Sequence, residues 1–170
     1  MNTHLKPVSM KGTAEQVAIN TTGWIGKLPG HPERIARGQT FLAKEEGDLQ
    51  KIEVYSHIVS DPGKMVITLH DYDPQQRTWG PVLTSSELDL KQTDCGKWIA
   101  FNMPEMHIDK GKFYGFKLQS KESYIGLGEA AGSAKQPPFN PGQEWEFNGE
   151  NDKGDCFSYF SLAFKVALRA

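Results

Sequence analysis

The chain of 170 residues has two cysteines, five histidines and no surplus of either charge: 19 basic residues stand against 21 acidic ones, a formal net charge of −2. With no cationic excess and no run of Lys and Arg, nothing drives binding to a phosphate backbone, and nucleic acid is excluded as a partner class. No run approaches the roughly 18 apolar residues of a membrane-crossing helix, so no membrane insertion is expected. The opening residues, MNTHLKPVSMKGTAEQ, lack the apolar centre of a secretory leader. An extracellular place is implied only if such a leader has been trimmed away, and the compartment stays open. Cys95, in a turn-like stretch, and Cys156, at the head of the last strand, leave open one bridge or two thiols. Without a histidine pair beside them they make a poor zinc site.

Catalytic and metal signatures are absent too. His4, His31, His57, His70 and His107 contain no H-x-H or H-E-x-x-H, and there is neither a G-x-S-x-G nor a phosphate-cradling glycine loop. Glu45, Glu46, Asp71, Asp73, Asp152 and Asp155 have the oxygen chemistry of calcium ligands without the spacing of a calcium loop. No cofactor and no metal residue is assigned, and a structural calcium stays open.

What is present is turn chemistry. Seventeen glycines and ten prolines separate short apolar runs, the pattern of an antiparallel all-β fold with many reversals. The length suits one domain with its own core. Residues 1–36 carry Pro7, Gly12, Gly23, Gly26, Pro29, Gly30 and Pro32 and are expected to wrap the domain irregularly, with one strand near Glu15 to Asn20. Residues 37–170 are expected to form the sandwich.

Alternation is clear from Gln39 onward. Phe41 and Ala43 share a face, and after a charged turn Ile52, Val54 and Ile58 share another. The stretch SDPGK reads as a reversal, with Pro62 presetting its φ and Gly63 supplying a positive one. Met65, Ile67 and Leu69 then point inward, followed by the loop HDYDPQQRTWGP and the strand VLTSSELDL. Further inward sets are Ile99, Phe101 and Met103, then Tyr114, Phe116 and Leu118, and a shorter strand follows at SYIGLG. Residues 128–156 read as a long loop pinned by Trp145 and Phe147. Phe160, Leu162, Phe164, Val166 and Leu168 alternate without a miss, as befits a strand in mid-sheet. About eight one-sided strands and no internal repeat predict two packed antiparallel sheets.

The succession GQTF, GDLQKIEVYSHIV, MVITLHDYD, VLTSS, WIAFNMPEMHIDKGKFYGFKLQS and LAFKV, over residues 38–168, resembles jelly-roll β-sandwich domains of the carbohydrate-binding-module or galactose-binding-like type. It is especially similar to accessory sandwich domains of bacterial surface proteins. That resemblance implies a jelly-roll topology and lectin-like carbohydrate binding, and it carries over no binding residue position by position.

Pyranose rings are held by flat apolar surfaces together with polar groups for the hydroxyls. If Ile52 and Val54 face in, Tyr55 and His57 face out; if Met65, Ile67 and Leu69 face in, His70 and Tyr72 face out. Trp79 and Trp98 join them at a loop and at a strand start. Tyr55, His57, His70, Tyr72, Trp79 and Trp98 are therefore the candidate ligand contacts. An alternative is a structural or interaction domain of a surface or phage-related assembly, with the same rings against a protein partner. A third reading, a glycoside hydrolase, rests on Glu87 and Asp89 in ELDLKQ, as in jelly-roll glucanases with E-x-D-x-x-E. Gln92 stands where the third carboxylate belongs, and a retaining enzyme needs two carboxyl groups about 5–5.5 Å apart across one bond. The chain is read as not an enzyme.

Overall fold

A strand that is apolar at every second residue can be buried on one side only, so two such sheets close on each other. The computed structural model, which describes residues 9–30, 32–149 and 151–170, has this form. His4, His31 and residues 1–8 of the expected wrap lie outside the described residues.

The strands are β1 (Met10–Gln16), β2 (Thr21–Lys27), β3 (Arg34–Leu42), β4 (Gly47–Asp61), β5 (Gly63–Asp73), β6 (Thr78–Leu90) and β7 (Lys97–Asn102). They continue as β8 (His107–Ile108), β9 (Phe113–Gln119), β10 (Tyr124–Ala131), β11 (Glu144–Phe147), β12 (Asp155–Phe157), β13 (Phe160–Leu162) and β14 (Phe164–Arg169). The all-β antiparallel class is as expected, but the strands number fourteen among the described residues rather than about eight. Three of them, β8, β12 and β13, are two or three residues long, too short for a period of two to be visible. Nor is the described part of residues 1–36 an irregular wrap. β1 pairs with β14 and β2 with β10, so neighbouring strands impose an extended form that Gly12 and Gly23 do not advertise.

One layer is built on β4, which has β14 and then β10 along one edge and β7 along the other; β1 lies outside β14 and β2 outside β10. The other layer runs β6–β5–β9–β3–β11–β12. A short β2–β3 pairing, Gly26 with Ile35 and Lys27 with Arg34, joins them. The stretch SDPGK is the corner between layers, not a hairpin: β4 does not pair with β5, and Gly63 at φ 159° is nearly fully extended.

The inward sets meet between the layers. Phe41 and Phe116 from one layer lie 6.1 and 5.6 Å from Phe164 of the other, ring centre to ring centre. Each such fully buried side chain contributes about 1.5–3 kcal/mol by leaving water. Met65, Ile67, Leu69, Leu118, Ile52, Val54 and Leu168 are wholly buried with them. Ile58 departs from expectation. A register shift in the β4–β10 pairing, where Gly126 faces Ile58 but Leu127 faces Ser56, turns Ile58 outward (37% exposed) and brings Val59 (5%) inside. An inserted residue of this kind shifts the alternation by one.

The final run is split at Ala163: β13 pairs with β10, while β14 lies between β1 and β4, as a mid-sheet strand should. The expected long loop at 128–156 is shorter than predicted, because β10 reaches Ala131 and β11 and β12 form a hairpin. That hairpin docks on β3. Beneath it a buried polar knot holds the layers in register. Arg37 Nη1 lies 3.1 Å from Glu144 Oε2, 3.7 Å from Glu129 Oε2 and 3.9 Å from Glu146 Oε2, and Arg37 Nε donates to the Trp24 carbonyl at 3.0 Å. Burial first, and the Glu129 carboxylate second, push the Glu144 carboxyl up to about 10. A proton held on Glu144 thus offsets the surplus of carboxylates around a single guanidinium.

Candidate functional site

With Phe41, Phe116, Leu118, Ile67 and Leu69 facing the core, the alternate residues of β3, β9 and β5 form the outer face of their layer. Two of these are Gly38 and Gly115, which leave the sheet bare. The Trp79 indole, brought over by the β5–β6 hairpin, lies across both: an added Cβ would be 2.8 Å from it at Gly38 and 2.5 Å at Gly115. Four rings meet Trp79 edge-on, His70 at 5.4 Å, Tyr72 at 5.8 Å, Trp145 at 5.8 Å and Phe147 at 5.4 Å. Such tilted contacts suit the opposite charge of ring faces and edges. The result is a small second hydrophobic cluster outside the main core, capped by the β11–β12 hairpin.

Beside the cluster runs a groove of two adjoining cavities, of about 680 and 540 Å³, which share Lys117, Phe147 and Asp152. The larger is bordered by Arg34, Lys64, Glu87 and Lys121; the smaller by His70, Arg77, Trp79 and Trp145. Their size is that of a small-molecule site. Lys117 stands at the junction with its Nζ 4.1 Å from the Phe147 ring centre. Burial lowers its pKa below the ordinary lysine value, against an opposing pull from Asp152.

His70 lines the groove with its ring but not with its nitrogens. Nδ1 is 3.0 Å from the Gly80 carbonyl, which only accepts, so Nδ1 carries the proton and Nε2 accepts from the Thr68 hydroxyl at 2.7 Å. Desolvation holds its pKa below the usual imidazole value.

The six sequence-derived candidates divide between two opposite faces. His70 and Trp79 border the groove, whereas Tyr72, 8% exposed, is sealed under it. Tyr55, His57 and Trp98 lie on the outer face of the β4 layer. There Trp98 faces Tyr55 across β7 and β4 at 5.6 Å, His57 Nδ1 meets the Thr22 hydroxyl at 2.8 Å, and Lys165 Nζ sits 4.2 Å over Trp98. Both triplets point away from the core, as alternation requires, but the corner at Pro62 sends β5 to the other layer.

Lys117 and Arg34 are not among the sequence-derived ligand contacts, and Asp152 entered only as a possible calcium ligand. Lys117 was readable as outward from its place between Phe116 and Leu118. Trp145 and Phe147, expected as pins of the long segment, do pin it, at 4% exposure each. Glu87 and Asp89 stand exposed on β6, with Glu87 3.4 Å from Lys64. The six carboxylates considered for calcium are scattered: Asp71 pairs with Lys112, Asp73 caps its own turn and Glu46 meets His107. Among the described residues no three His, Cys, Asp or Glu side chains converge as metal ligands. Cys95 and Cys156 are both free.

No family model and no curated protein matches the sequence. Among solved structures the fold is similar to that of a clostridial cysteine protease, Cwp84 after propeptide cleavage: TM-score 0.57, 11% identity, over 95% of this chain and 40% of that one. It is also similar to a structure of the cysteine protease and lectin-like domains of Cwp84, a surface layer associated protein of Clostridium difficile: TM-score 0.51, 10% identity, over 81% of this chain and 32% of that one. The chain therefore spans well under half of either protein, and at this identity the likeness is one of fold.

Proposed function

We propose that this chain is a non-catalytic carbohydrate-binding module, lectin-like and of jelly-roll type, that takes its ligand in the groove over Lys117. The observation that carries the reading is the groove itself: a sheet face with the partly exposed Trp79 ring on its wall, backed by the buried Trp145 and Phe147, and polar groups along its length. The lectin-like domain named for one fold neighbour supports it. The jelly-roll part is supported by strand order, since β2–β10–β4–β7 face β3–β9–β5–β6 and successive strands of this set, apart from the β5–β6 hairpin, cross between layers.

The test is intrinsic fluorescence, with Trp79 and Trp145 bordering the groove, titrated with a panel of neutral and acidic oligosaccharides. Saturable change with at least one of them, weakened by Asp152→Ala, supports the reading. Silence across the panel sinks it.

A second reading, an interaction domain of a surface assembly, is favoured by the rings on the opposite face, Tyr55, His57 and Trp98, with exposed Ile58 beside them. Self-association in sedimentation experiments that Trp98→Ala abolishes would support it, and a monomer at all concentrations would count against a second copy as the partner.

A further inference from the structure

The charges around the groove are not a sample of the whole chain. The protein is acidic overall, at −2, yet the larger cavity is bordered by Arg34, Lys64, Lys117 and Lys121 against Glu87, Glu122 and Asp152. Lys64 and Glu87 are 3.4 Å apart and largely cancel. Arg34 and Lys121 are exposed on the rim, where water and salt screen them.

Lys117 differs from all of these. It rises from β9, in the middle of the layer, half-buried between the β11–β12 hairpin and the sheet. No carboxylate lies within ion-pair distance of it among the described residues; Asp152 acts only from farther off. The Phe147 face holds the ammonium in position by cation–π attraction. That does not replace the hydration the ammonium has lost, which is why burial depresses its pKa. A partly desolvated cation at the centre of a cleft interacts more strongly with an incoming anion than rim charges do, because the local dielectric is lower.

We infer that the groove recognises a saccharide bearing an anionic group, with that group on Lys117 and the sugar ring against the partly exposed Trp79. This rests on the carbohydrate-binding reading above. The shared chemistry is a carboxylate, sulfate or phosphate ester carried on a glycan.

The experiment is calorimetric titration of the full chain with a galacturonate hexamer, a galactose oligomer of the same length, a glycerol-phosphate oligomer, and inorganic phosphate and sulfate alone. The expected result is that an anionic oligomer binds at least about tenfold tighter than the neutral one, and that Lys117→Gln removes the difference. The two anionic oligomers distinguish a carboxylate source from a phosphate one. Thermal melting of Lys117→Gln establishes that it is folded. Should it not fold, the wild type still decides: affinity for the anionic oligomer must fall as salt rises from about 50 to 500 mM. Equal binding of neutral and anionic oligomers, a flat salt dependence, or retained preference in folded Lys117→Gln overturns the inference and leaves the carbohydrate reading standing. Inorganic anions binding as tightly as the oligomers overturn it as saccharide recognition. Failure of every oligosaccharide overturns both.

Discussion

Removal of Arg37 should harm the protein severely, and the reason is the three carboxylates around it. In Arg37→Met the stem is kept and the charge is lost, leaving the buried Glu129 side chain with no ion-pair partner among the described residues. Breaking a buried ion pair from one side costs about 3–5 kcal/mol. At roughly 2–4 °C per kcal/mol for a domain of this size, the midpoint of thermal unfolding should fall by about 6–20 °C. Glu144→Gln should behave oppositely. The Glu144 carboxyl already holds its proton at neutral pH, so the amide is a near-isostere, and because the unfolded wild type ionises there while the amide cannot, the variant should be at least as stable as wild type at pH 7. The two proteins then diverge with pH. Because the folded-state pKa of about 10 lies above the unfolded value of 4.5, the folded chain keeps a proton the unfolded chain gives up. The associated stability is complete below the unfolded value and is lost as pH rises toward the folded one. Wild type should lose up to about 1.4 kcal/mol per pH unit relative to Glu144→Gln between pH 7 and 9, measured by urea unfolding. Parallel curves for the two proteins over that range, or an Arg37→Met variant as stable as wild type, would refute this account of a protonated Glu144 beside Arg37.

Other perturbations test the packing. Gly115→Ala forces a methyl group to within 2.5 Å of the rigid Trp79 indole, so it should cost about 1–3 kcal/mol and alter the near-ultraviolet circular dichroism. Gly12→Ala, where a Cβ meets nothing within 4 Å, should leave that spectrum unchanged. Phe164→Ala, at the ring junction between the layers, should cost about 3–5 kcal/mol in denaturant unfolding. The register shift in β4 predicts that Ile58→Ser stays within about 0.5 kcal/mol of wild type, whereas Val59→Ala costs about 1.5–3 kcal/mol. The reverse order would place Ile58 inside and remove the bulge.

Period-two alternation determined, from the sequence alone, the all-β class and most of the inner surface. Met65, Ile67 and Leu69, then Tyr114, Phe116 and Leu118, then Phe164, Val166 and Leu168 are all buried as their spacing requires. Alternation reports which side of its own sheet a residue faces, because that depends only on the pleat of the backbone next to it. It does not report which sheet a strand joins. Tyr55 and His70 both face outward, but on opposite layers, since pairing of β5 with β9 rather than with β4 is decided by surfaces distant in sequence. The strands of two or three residues, the bulge at Ile58 and the hairpin that half-buries Lys117 have the same origin. Each is held by partners elsewhere in the chain, such as Gly126 opposite Ile58 or Gly38 opposite Trp145, and no local window contains both members of such a pair.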